Sequence, residues 1–146
     1  MKKHIIVFIF PLLIGCAYAR DSHLYSLQPT VPKEKAQKVA GVVETTLVQK
    51  GLVLKSRYHD TYPQDIAVTI LEIPRRPEEK RRDPMLIILI KSGNVVQLKH
   101  SELWLQWAFS NRHRPSDYIK DITPELVSAI KNELGLEIEI VPTNGD

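Results

Sequence analysis

Two short stretches of the chain, Ile66 to Ile73 and Met85 to Ile90, are apolar at nearly every position. An amphipathic helix interrupts its apolar residues every turn, and a half-exposed strand alternates. An unbroken short apolar run fits a strand in the middle of a sheet, or one under cover on both sides. Two further strands are expected beside them, at Leu52 to Tyr58 and Val95 to Lys99. Ser92-Gly93-Asn94 sits between the strands expected at Met85 to Ile90 and Val95 to Lys99, and its Gly-Asn pair permits the tight turn of a two-residue hairpin.

Helices flank these strands. After Pro32, the residues Ala36, Val39, Ala40, Val43 and Leu47 recur at helical spacing, Lys33, Glu34, Lys35, Lys38, Glu44 and Lys50 take the other face, and Gly51 supplies a stop. The apolar stripe lacks the Trp and Phe of membrane-surface helices, so packing on a sheet is the expectation. Thr123-Pro124-Glu125 predicts a second helix start, with Thr123 as N-cap and Pro124 in the first turn. Its face would be Leu126, Val127, Ile130 and Leu134, closed by Gly135. Leu136 to Val141 then alternates, with Glu137 and Glu139 on the outer side. The expected fold class is α+β: a two-layer sandwich of about five mostly antiparallel strands with helices on one face.

The N-terminus carries an address. Lys2 and Lys3 precede an apolar run from Ile5 to Ile14, and small residues follow at Gly15, Ala17 and Ala19. This is the order of a secretory signal, and its apolar core of about ten residues falls short of the roughly 20 that cross a bilayer. Within it, Leu13-Ile14-Gly15-Cys16 resembles the lipobox of bacterial lipoproteins. The resemblance implies a diacylglyceryl thioether on Cys16, cleavage before it, and an N-acyl chain such as palmitate, a combination that anchors a protein stably. Ala17 after the Cys resembles the signal for outer-membrane sorting. The alternative is ordinary secretion, with a cut after Ala19 at Ala17-Tyr18-Ala19.

Four segments are expected: a signal peptide over 1–15, a lipidated tether over 16–30, a single α+β domain over 31–142 and a tail over 143–146. As a flexible coil the tether would reach on the order of 20 Å. Removal of the signal takes Lys2 and Lys3 with it, so 20 basic residues become 18 against 17 acidic ones. The resulting charge of about +1 gives no support to nucleic-acid binding. Cys16 is the single cysteine, which leaves the domain without thiol chemistry, disulfides or Cys-based metal sites.

Candidate contact residues fall in two places. The loop from Pro74 to Pro84 holds Arg75, Arg76, Arg81 and Arg82 among Glu78, Glu79 and Asp83, and is either a contact for phosphates or acidic partners or a solvated loop protecting apolar edges. The stretch from Glu102 to Phe109, irregular or helical, carries Trp104 and Trp107. Core packing is the default for both; if either Trp is exposed it becomes a partner contact, with Arg112, His113 and Arg114 as a polar rim. Ser, His and Asp are close in sequence near His59, His100 and Asp117, but no nucleophile elbow or H-E-x-x-H spacing accompanies them. No catalytic residue, metal or cofactor is expected.

Tyr25-Ser26-Leu27-Gln28-Pro29 resembles the Tyr-x-Leu-x-Pro that follows the lipid-bearing Cys in auxiliary lipoproteins of envelope lipid transporters. Those proteins go directly into a strand here, whereas the periodicity of this chain enters a helix. The functional expectation is a non-enzymatic envelope lipoprotein that binds other envelope proteins as an accessory or assembly subunit. The rivals are a hydrolase of cell-wall or lipid substrates using His59, His113 or Asp117, and an immunity or inhibitor lipoprotein.

Overall fold

The computed structural model describes residues 17–74, 84–106 and 117–143, and the side chains of all of these except 17–21 and 102–106. The elements run β1 (Ala17–Gln28), α1 (Lys33–Gln49), β2 (Val53–Asp60), β3 (Ile66–Glu72), β4 (Met85–Lys91), β5 (Val95–Gln106), α2 (Asp117–Leu134) and β6 (Glu139–Pro142). Six strands form one antiparallel sheet in the order β2-β3-β4-β5-β1-β6. The α+β sandwich is therefore the architecture, with a sixth strand beyond the five expected.

That sixth strand is the correction that matters most. Residues 17–28, read from sequence as part of a coil-like tether over 16–30, pair with β5 from Ala17↔Gln106 to Ser26↔Gln97, and with β6 from Tyr25↔Pro142 to Gln28↔Glu139. Alternation puts Tyr25 and Leu27 into the core, 5% and 4% exposed, while Ser26 and Gln28 point the other way. On that second face Gln97 Nε2 donates to Ser26 Oγ at 3.0 Å, and Ser26 shares a 2.8 Å hydrogen bond with Thr143. The polar chain ties β5 and β1 to the end of β6.

Both helices cover the same face. In β4 the helix side holds Leu86, Ile88 and Ile90, all buried, while Met85, Ile87 and Leu89 on the far side are half-buried. In register beside them stand Val96 and Leu98 of β5 and Leu71 of β3. Ala36, Val39, Val42, Val43 and Leu47 of α1, with Ile119, Ile122, Leu126 and Ile130 of α2, close this core from above. The two fully apolar runs thus sit at the second and third places of the sheet, where neighbours flank them on both edges.

Helix ends follow local chemistry at one terminus and not at another. Gly51, at φ 94°, lets the Leu52 N–H reach the Leu47 carbonyl (3.1 Å) and its own N–H reach Val48 (2.9 Å), with Leu47 and Leu52 buried together. The predicted start of α2 at Thr123 is wrong: the helix begins six residues earlier, at Asp117, and Pro124 lies inside it. The Thr123 hydroxyl donates to the Ile119 carbonyl at 2.7 Å, a bond within the helix rather than a cap. The β4–β5 hairpin forms as expected, with its turn shifted by one residue. Ser92 (φ 51°) and Gly93 (φ 79°) are the left-handed pair, and Asn94 N–H returns to the Lys91 carbonyl at 3.2 Å.

Candidate partner-binding edge

The helices stand over β4, β5, β1 and β6, so the β2 side of the sheet projects past them. From Lys55 to Asp60 every residue of β2 is exposed, on both faces. Edge strands with such exposure need protection, and β2 carries it as Lys55, Arg57 and a register shift between Leu54 and Ser56. Lys55 pairs with Glu72 and Arg57 with Glu44 of α1, and His59 Nε2 lies 2.5 Å from Asp65 Oδ1.

Between this overhang and α1 runs a groove of about 400 Å³. Small residues line it, Ala40 and Gly41 on the helix and Ala67 and Thr69 on β3. A Cβ built on Gly41 meets nothing within 4 Å. Arg57 and Glu44 bridge the groove, with Arg57 Nε 3.1 Å from Glu44 Oε2, and the hydrogen bond and charge of Glu44 push the guanidinium pKa up.

The same edge exposes large apolar groups. Val53 at the start of β2 and Tyr58 within it are each 53% exposed, and Tyr62, in the turn to β3, is 84% exposed. Tyr pairs a large apolar body with a hydrogen-bonding tip and loses little entropy on docking, which suits it to interface centres. Sequence reasoning gave neither tyrosine a contact role. The signal was a strand whose polar and aromatic residues follow no period, Lys55-Ser56-Arg57-Tyr58-His59-Asp60, as expected of a strand bare on both sides.

The residues singled out from sequence are placed less completely. Cys16, Arg75, Arg76, Arg81, Arg82, Trp107, Arg112, His113 and Arg114 lie outside the described residues. The strands joined by the arginine loop, β3 ending at Glu72 and β4 starting at Met85, come out at the end of the sheet where Ser101 lies. Trp104 falls within β5, opposite Ala19, so the expected irregular or helical stretch is a strand at least as far as Gln106. His59 is engaged with Asp65, and Asp117 is an exposed first residue of α2 with Lys120 at 3.9 Å. The two are not brought into one hydrogen-bonded group. Among the described residues, no three His, Asp or Glu side chains converge as a metal site requires.

His100 behaves as a core residue, 3% exposed on the helix side of β5 and stacked on Tyr118 of α2 with ring centroids 6.0 Å apart. Burial first, then the negative charge of Glu125, push the Tyr118 phenol above its usual value. Below pH about 10 the phenol is neutral folded or unfolded; above it the unfolded chain loses a proton that the folded chain keeps. Stability should therefore fall as the solution becomes alkaline, and Tyr118→Phe should flatten that fall in urea unfolding compared between neutral pH and pH about 11. An equally steep decline in the variant would assign it to other groups.

No protein family, curated protein or solved structure matches the chain. No helix among the described residues is long and apolar enough to cross a membrane.

Proposed function

We propose that this protein is a lipid-anchored lipoprotein of the cell envelope, held on the outer membrane through Cys16, and that it serves as a non-enzymatic accessory or assembly subunit by binding other envelope proteins. The observation that carries the binding role is the exposure of Val53, Tyr58 and Tyr62 along one bare edge, beside the groove under α1. Isolated exposed residues are ordinary, but two tyrosines on one hairpin, next to an arginine and a free strand, have the composition of an interface centre. The extended edge also offers backbone donors and acceptors to a partner strand.

One feature of β1 supports the address. A cut after Ala19 would fall inside the strand and delete its pairs at Ala17, Tyr18 and Ala19, whereas a cut before Cys16 leaves every pair intact. Tyr25 and Leu27, the residues behind the resemblance to auxiliary lipoproteins of envelope lipid transporters, lie in β1, and past Pro29 the chain enters α1, where it departs from those proteins.

The test is purification of the tagged full-length protein from gently solubilised envelopes, alongside the variant Tyr58→Ala/Tyr62→Ala. A specific envelope protein should accompany the wild type and be depleted at least tenfold with the variant, equivalent to about 1.4 kcal/mol or more of binding energy. A lipoprotein that repeatedly emerges alone, or a partner retained equally by the variant, would count against this edge as the binding site.

A further inference from the structure

The apolar runs of β3 and β4 have the composition of strands covered on both faces, and the two helices cover one. Ile66, Val68 and Ile70 of β3, with Met85, Ile87 and Leu89 of β4, point to the other face; Val68 is buried there and the rest are half-buried. A solvated sheet face carries polar residues at such positions. Here Tyr58, Val68, Leu89, Gln97, Ser26 and Val141 form one row across all six strands, apolar or aromatic as far as β4 and polar only beyond it.

Two lysines on this face indicate the chemistry of its cover. Lys99 follows Gln97 by two residues on β5, and Lys91 stands one strand over on β4, opposite Val95. Both are half-buried, and among the described residues neither forms an ion pair. Lysine drawn partly out of water without a counter-charge is satisfied by an acid brought from outside. Between the two, Gln97 is 7% exposed; its Nε2 donates to Ser26, but its Oε1, shielded from water, has no hydrogen-bond partner. An unmet buried acceptor is a second sign that the face is incomplete in the free domain.

We propose that this face docks another protein, one whose own surface is apolar at the centre and carries carboxylates over Lys91 and Lys99. One strand and four residues separate the lysine Cα atoms, about 14 Å, which leaves room for two carboxylates. The remaining charges favour a protein over a lipid surface. Asp60 and Glu72 lie on the same face at its β2 and β3 margin. A layer of lipid phosphates would meet these acids as well as the lysines, whereas a protein can confine its carboxylates to the lysine side. From β2 to β1 the face measures roughly 20 Å by 20 Å, about half of what each partner gives to a standard interface, so the contact belongs to the weak and transient class. It adds a second surface to the β2 edge and does not depend on it.

Covalent capture suits so small a contact. The photoreactive residue p-benzoylphenylalanine is placed at Ile87, in the middle of the face, in the full-length protein made in its own cells. Separate chains carry it at Tyr62 on the edge and at Lys38, exposed on α1. Irradiation should join position 87, and not position 38, to one protein. Lys91→Glu/Lys99→Glu should lower that adduct at least tenfold, and Lys91→Arg/Lys99→Arg should retain it. Lys91→Gln/Lys99→Gln should lower it severalfold and stands in if circular dichroism shows that the charge reversal unfolds the domain. No adduct at 87, an adduct only with lipid or with a second copy, equal capture at 38, or a yield indifferent to the lysine substitutions each overturns the proposal. Capture at 62 with none at 87 overturns it and leaves the edge reading intact.

Discussion

Cys16→Ala is expected to move the protein from the membrane pellet to the soluble fraction of the envelope. Each buried methylene contributes about 0.8 kcal/mol, and a single myristoyl chain by itself gives only about 10⁴ M⁻¹ of membrane affinity. Two or three chains resist washing with high salt or alkaline carbonate; with none, no hydrocarbon anchor is left. The wild type should remain in the pellet through both washes, and the variant should leave it at the first. N-terminal sequencing adds a second readout. With the lipobox destroyed, the released variant should begin at Arg20, the product of the Ala17-Tyr18-Ala19 site. A Cys16→Ala variant that stays membrane-bound and resists both washes would mean that something other than lipid holds the protein there.

Pro124→Ala is expected to stabilise the domain by roughly 1–3 kcal/mol, raising Tm by on the order of 5–10 °C. Pro124 is exposed and stands inside α2, where it cannot donate a backbone hydrogen bond to the carbonyl four residues back, that of Lys120. Alanine restores the donor and removes the ring's clash with that carbonyl without leaving a cavity. A proline inside a helix is expected to bend it, and the gain is limited by what that bend does for α2. Ile119 and Ile122 before the proline, and Leu126 and Ile130 after it, are all buried, and a straighter α2 must keep both pairs in the core. Thermal unfolding followed by circular dichroism measures the outcome. A lower Tm in the variant would show that the bend positions one of those pairs and outweighs the lost hydrogen bond.

The parts of the fold legible in the sequence are those specified by nearby residues. The apolar runs of β3 and β4, the stripe of α1 and the Gly51 stop each carry their signal within a few turns of chain. β1 does not. Its buried Tyr25 and Leu27 alternate with Ser26 and Gln28 over only four residues, and the rest of its ladder depends on partners beyond position 95. The extension of β5 from Lys99 to Gln106 was hidden for the same reason, since its partner there is β1. At α2, a strong local signature, Thr123-Pro124-Glu125, lost to the spacing of Ile119, Ile122, Leu126 and Ile130, which draws one continuous helix onto the core. The candidate binding edge was legible only as a strand without an apolar period, Lys55 to Asp60, and not as a place where tyrosines stand exposed. Tyr58 and Tyr62 are exposed because of where the helices sit, and that is decided by the whole topology.

The place of β1 also has a consequence in time. The strands from β2 to β5 form successive hairpins and can pair as soon as they are made, but β1 waits for chain far downstream: Ser26 meets Gln97, 71 positions on, and Thr143, 117 positions on. Closing such separations is slow relative to local hairpins. A chain exported from its N-terminus would present position 16 while its own strand is still unpaired and open to enzymes, and residues as far downstream as Thr143 would be the ones that lock that strand into the sheet.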